Sequence, residues 1–135
     1  MPVSWRVSQE VVFLEGNGQA TLDEWMSAVD GSLASGDYRP GMGVVQDWRR
    51  TKAIPGAKVI RLRIDVLVAR ARARGVQRWA IVVAGAARWE IVITGEAYRD
   101  TGRTAEPRAG RGPVEFRVFK DRAEAEAWVR AGPSG

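Results

Sequence analysis

The stretch "KVIRLRIDVLVARARARG", residues 58–75, decides how this chain is read. Ile60, Leu62, Ile64, Val66 and Val68 alternate with Arg61, Arg63, Asp65 and Leu67, which is the period of a strand. The same residues are rich in alanine and arginine and close on Gly75, as helices do. Length arbitrates. As one strand the segment would run about 60 Å, far beyond a small domain, whereas as a helix it spans about 27 Å. A helix over 58–74 is therefore predicted, with a shorter strand over 59–66 as the alternative.

On a helical wheel, Ile60, Ile64, Leu67, Val68 and Ala71 form one face, the natural core face. Val59, Leu62, Val66, Ala69 and Ala73 form a second apolar stripe on roughly the opposite side, flanked by Arg63, Arg70 and Arg74. A surface helix needs only one such stripe. The second is expected to be covered by another element, a second subunit, a ligand or a lipid surface, or to stand exposed.

The segments around this helix alternate in type. Residues 3–15 read as one or two strands, ended by Gly16-Asn17-Gly18. Thr21 and Glu24 have the spacing of a capping box, and Leu22, Trp25, Met26, Val29 and Leu33 follow one helical face. "SGDYRPGMG", 35–43, is a loop, and "GVVQDWR", 43–49, an interior strand. A strand 43–49 followed by "VQRWAIVVA", 76–84, needs a crossover, which again favours a helix over 58–74. Residues 87–98 fit either a strand, through "IVIT", or a helix, through Trp89, Val92, Ile93, Ala97 and Tyr98, and the helix is favoured. Residues 99–113, with Arg99, Arg103, Arg108 and Arg111 among Gly and Pro, read as a flexible loop. A strand over 114–120 and a helix begun by Asp121 and Glu124 close the chain, with Ala125, Trp128 and Val129 on its buried stripe. The order β(β)αβαβαβα predicts one α/β domain over residues 1–135 with a mostly parallel sheet of four or five strands.

Composition bounds the chemistry. The chain has 135 residues, no cysteine and no histidine, which removes disulfides, thiolates, the usual general base near neutral pH and the commonest metal ligands. No nucleophile–base pair, metal set or phosphate-binding glycine motif stands out, so neither an enzyme nor a cofactor is expected. No apolar run approaches the roughly 20 residues that cross a bilayer. The N-terminus lacks a signal-peptide pattern, and with the absence of cysteine this leads to a cytoplasmic expectation. The net charge of +5 comes from arginine far more than lysine, but the arginines are spread along the chain, as an alanine-, glycine- and arginine-rich composition produces by itself. Of the tryptophans, Trp25, Trp89 and Trp128 sit on core stripes, and core packing is expected for them rather than a stacking platform.

Three motifs carry a resemblance. "VVQDWR" (44–49), "VQRWAIVV" (76–83) and "VEFRVFKDRAEAEAWV" (114–129) occur in the order of similar motifs in the SpoIIAA-like family of small STAS/Sec14-like bacterial domains, which this chain resembles from about residue 10 onward. The resemblance implies a sheet of four or five strands with helices on its sides, and no established enzymatic activity. STAS domains that antagonise anti-sigma factors are switched by phosphorylation of a serine after the central strand. The equivalent "TKAIPGAK", 51–58, has no serine and only Thr51 as a hydroxyl, so that switch is not expected here.

Asp47 and Arg49 match the family's central strand and lie near its C-terminal end, where open α/β sheets hold ligands. They are read either as a partner or ligand site or as a structural ion pair. The function expected from the sequence is a non-catalytic STAS-like interaction module, with a protein partner or a second copy in a homodimer. The alternatives are a domain that binds a small apolar ligand or anionic lipid through the second stripe, and weak nucleic-acid binding through the arginine-rich loop, the less favoured of the two.

Overall fold

Neighbouring residues of the central strands serve two different cores. Val11 lies in one and Val12 in the other; Val45 and Val44 divide in the same way, as do Ala80 and Ile81. This is the signature of a sheet covered on both sides. The computed structural model describes residues 3–18, 20–51, 69–84 and 114–131. Within them, β1 (Val3–Ser8), β2 (Val11–Gly18), β3 (Gly43–Thr51), β4 (Arg78–Val82) and β5 (Glu115–Phe119) form a five-stranded sheet in the order β1-β2-β3-β4-β5. β1 pairs antiparallel with β2, and the remaining neighbours are parallel. The chain is thus a mixed α/β domain with a mostly parallel sheet.

Helix α1 (Leu22–Leu33) packs on β1 and β2, and α2 (Arg122–Ala131) packs mainly on β4 and β3. The α1-side core joins Trp25, Val29 and Leu33 to Leu14, Val44, Trp48, Trp79 and Ile81, and the α2-side core joins Ala125 and Val129 to Phe13, Val45, Val82 and Phe119. The first helix starts with the full capping box the sequence predicts, the second with the Asp121 half of one. Thr21 and Glu24 exchange both bonds of a capping box, at 2.9 and 3.1 Å. Asp121 Oδ1 accepts from the amides of Ala123 at 2.7 Å and Glu124 at 3.4 Å.

The segment that opened the question ends as a helix. Residues 69–73 are helical. The amide of Val76 donates to the Ala71 carbonyl at 2.9 Å, and that of Gly75 to the Arg72 carbonyl at 3.0 Å. This pair is the Schellman motif, with Gly75 at φ +81° in the left-handed position that favours glycine. Ala71 and Val76 are buried together beneath it, and the Tyr38 hydroxyl caps the Arg74 carbonyl at 2.7 Å. The shorter strand over 59–66, the helix or strand over 87–98 and the loop 99–113 lie outside the described residues.

Three sequence expectations are corrected. Gly16-Asn17-Gly18 does not end the second strand; β2 runs through Gly18, with an irregular register between Glu15 and Asn17. The break in pattern marks a bulge rather than a turn. The alternation of Glu115, Arg117 and Phe119 against Val114, Phe116 and Val118 predicts a polar face for Phe119; Glu115 and Arg117 are exposed, but Phe119 is buried in the α2-side core, where it packs on Trp128. Trp128 is only half-buried: it packs against Phe119, with the Arg78 guanidinium 4.8 Å from its ring centroid.

Two tight places yield predictions. A Cβ at Gly43 would lie 2.1 Å from Val129 Cγ1 and 3.1 Å from the Arg78 carbonyl oxygen, so glycine is what lets α2 approach β3. Gly43→Ala is expected to cost about 1–3 kcal/mol by overpacking. Combining it with Val129→Ala should cost less than the two single changes added, as read from urea midpoints. The β1–β2 turn places two non-glycine residues, Gln9 and Glu10, at φ 50° and 68°. That is the φ signature of a type I′ turn, which Asn-Gly suits better. The double change Gln9→Asn, Glu10→Gly should raise stability by roughly 1 kcal/mol in the same measurement.

Candidate functional site

β3 carries alternating duties along "QDWRR". Gln46 and Trp48 face the α1 side: Trp48 stacks on Trp25 at 5.6 Å between centroids, and Gln46 Oε1 accepts from Trp79 Nε1 at 2.9 Å. Asp47 faces the α2 side. Its Oδ1 accepts from the Arg49 backbone amide and from Arg49 Nε, both at 3.0 Å, and its Oδ2 accepts from Arg49 Nη2 at 2.8 Å. The two residues named from the sequence therefore do meet, in a fork of the kind that suits guanidinium and carboxylate.

Three further residues complete the cluster. Glu15 of β2 stands directly opposite Asp47 in the parallel register. Arg122, the first residue of α2, donates from Nη1 to Glu15 Oε1 at 2.7 Å and to Asp47 Oδ2 at 3.2 Å, and from Nε to Glu126 Oε1 one turn later at 3.4 Å. The same guanidinium lies 5.1 Å from the centroid of Phe13, and the guanidinium of Arg6 lies 4.5 Å from that ring. One arginine thus joins two adjacent carboxylates that would otherwise repel, and covers an aromatic ring of the sheet.

The electrostatics follow from this packing. Burial pushes the Asp47 carboxyl up, but the hydrogen bonds from Arg49 and the charges of Arg49 and Arg122 outweigh it and hold the group below the usual aspartate value. Burial would lower the pKa of Arg122, but its bonds to Glu15 and Glu126 and the nearby charges raise it. Asp47 is therefore ionised and already engaged by two guanidinium groups. The arrangement is a plate of paired charges, exposed mainly at Arg49 and Glu15, with the Asp47 carboxylate itself covered. Among the described residues no three metal-ligating side chains come together.

The second sequence-derived surface lies on the other side of the sheet. Ala71 belongs to the α1-side core, while Ala69 and Ala73, two residues to either side, are exposed. Arg70 pairs with Asp30 of α1, and Arg74 is exposed. Val59, Leu62, Arg63 and Val66 lie outside the described residues. The described members of the two sets therefore lie on opposite sides of the sheet. Glu15, Arg122 and Glu126 escaped the sequence reading. Arg122 and Glu126 carry the i, i+4 spacing of a helical ion pair, but nothing local places Glu15 beside Asp47.

The linkage gives a pH prediction. Because the folded pKa of Asp47 lies below its unfolded value of about 3.9, its contribution is present above that pH and is lost as pH falls through the folded pKa. Asp47→Asn should lower stability at neutral pH by about 1–3 kcal/mol. It should also flatten the acid limb below roughly pH 4, seen as urea midpoints that change less between pH 4 and pH 2 than in the parent.

No family model and no curated protein matches the chain. Among solved structures it is similar to an uncharacterised protein of the DUF3478 family with a SpoIIAA-like fold from Shewanella loihica PV-4. The two are 19% identical, the match covers 94% of this chain and 91% of that one, and the TM-score is 0.56. With its five-stranded, mostly parallel sheet between helices, the chain folds as a SpoIIAA-like domain.

Proposed function

We propose that this domain is a non-catalytic interaction module that associates with a second copy of itself through the outer stripe of the helix that ends at Gly75. The observation that carries this reading is the alternation at the end of that helix, where buried Ala71 sits between exposed Ala69 and Ala73. That is the phase expected if the face of Val59, Leu62 and Val66 is directed away from the sheet. The ion-pair plate at Asp47 supports the non-catalytic part, since its carboxylate is occupied by Arg49 and Arg122. A second copy suits the stripe better than an anionic lipid, because Arg70, one of its flanking arginines, is already neutralised by Asp30.

Sedimentation velocity across a wide concentration range tests the reading. The sedimentation coefficient should rise with concentration, and more so at higher salt, because the arginines flanking the stripe on two copies repel one another. The double change Ala69→Glu, Ala73→Glu, which keeps good helix formers at exposed positions, should leave the circular dichroism and melting of the monomer unchanged and remove the association. A single monomeric species at every concentration would refute self-association. Association unaltered by the double change would place it on another surface.

A further inference from the structure

We infer that the outer edge of β1, with the groove between it and α1, docks an extended segment of a partner protein. The segment adds to the sheet as a further strand, with apolar residues toward Trp5 and acidic residues toward Arg6. Among the described residues β1 pairs with β2 alone, from Val3 to Ser8 without a bulge. The hairpin closes through the two-residue turn Gln9-Glu10, so Ser8, Arg6 and Ser4 exchange their bonds with β2. The N–H and C=O groups of Val3, Trp5 and Val7 therefore point outward. Such an edge is a template for another strand, and proteins guard it with lysine, proline or a bulge. "VSWRVS" has none of the three. The opposite edge, β5, exposes Glu115 and Arg117.

The groove and the charge decide what the added segment carries. The groove, of about 240 Å³, is lined by Val3, Trp5, Asp23, Glu24, Ser27 and Ala28. Trp5 is 41% exposed and packs over Gly31, where an added Cβ would lie 3.0 Å from the indole Nε1, so its ring walls the groove against α1. Asp23 and Glu24 are already engaged, Glu24 by the Thr21 amide at 2.9 Å, and the apolar part of the lining is Val3, Trp5 and Ala28. Side chains alternate along a strand, so every second residue of the added segment meets this apolar surface and the others meet the opposite face. On that face stands Arg6, its guanidinium 4.5 Å from the Phe13 centroid. Among the described residues no carboxylate pairs with it; Glu15, opposite Ser4, is taken by Arg122 at 2.7 Å. The chain carries +5, so the complementary segment is acidic on this side. This edge belongs to a different element from the helix that ends at Gly75, and docking here does not depend on self-association there.

The capped peptide acetyl-Thr-Val-Glu-Val-Glu-Val-Thr-amide is the probe. One control has lysine in place of both glutamates, and another has proline in place of the central valine. Titrated into ¹⁵N-labelled protein, the probe should shift the Trp5 and Val7 amides saturably, with a Kd on the order of 0.1–1 mM for a short segment that orders on binding. It should also slow hydrogen exchange at Trp5 and Val7, whose N–H groups point outward, and leave Arg6, already bonded to β2, unchanged. The proline peptide should not bind, because its central residue cannot donate to the ladder. Arg6→Glu, at an exposed position, should reverse the preference between the charged peptides, changing each affinity by about threefold or more. Arg6→Gln, which keeps an aliphatic stem beside Phe13, should abolish that preference, and thermal melting of both variants reports that the fold is kept. Equal affinity for the proline peptide, no preference between the charged peptides in the parent, or unslowed exchange at Trp5 and Val7 would each overturn the assignment. Exchange slowed at both amides by raising the protein concentration alone would overturn it too, and give the edge to a second copy.

Discussion

A parallel sheet tolerates water on neither face, and the whole arrangement answers to that constraint. β2, β3, β4 and β5 run parallel, so each carries apolar residues on both sides. Val44 and Val45, or Ala80 and Ile81, are buried alike and belong to different cores. α1 meets the requirement on one face and α2 on the other. Gly43 matters because α2 reaches β3 only where the strand has no side chain, and the Trp25–Trp48 stack matters because α1 must fill the opposite volume.

Where α2 begins, the same closure becomes electrostatic. The helix brings Arg122 to the carboxyl end of β2 and β3, and the parallel register has already set Glu15 beside Asp47. Two neighbouring carboxylates at a partly buried sheet end need a shared cation, and Arg122 provides it while its plane lies near Phe13. Arg49 takes the remaining oxygens of Asp47. The result ties β2, β3 and α2 at the end of the sheet where related open folds hold ligands. Among the described residues the carboxylate at that end, Asp47, is already paired with the domain's own Arg49 and Arg122.

Much of this was legible without coordinates. The capping box at Thr21, the start of α2 at Asp121 and the strands at 43–49 and 76–84 follow from interactions within a few residues, and the structure places each within two or three residues of its expected bounds. The pairing of Asp47 with Arg49 was legible for the same reason, since they are two residues apart on one strand. Glu15 was not, because its contact with Arg122 spans 107 positions of the chain. Nor was the exposure of Trp5 beside the burial of Trp48: both are aromatic residues on alternating strands, and only the position of their strands, one at the edge and one inside, separates them.

By itself the sequence determined the identity of the described elements and, Phe119 apart, the direction of their apolar faces, including the helical end of the segment that closes on Gly75. These depend on backbone preference, capping and period, which act over a turn or a pleat. Only the tertiary structure decided which strands lie side by side, which carboxylates share an arginine, and which tryptophan is left at the surface. Those outcomes depend on register between segments far apart in the chain, where no local preference reaches and packing on both faces of the sheet makes the choice.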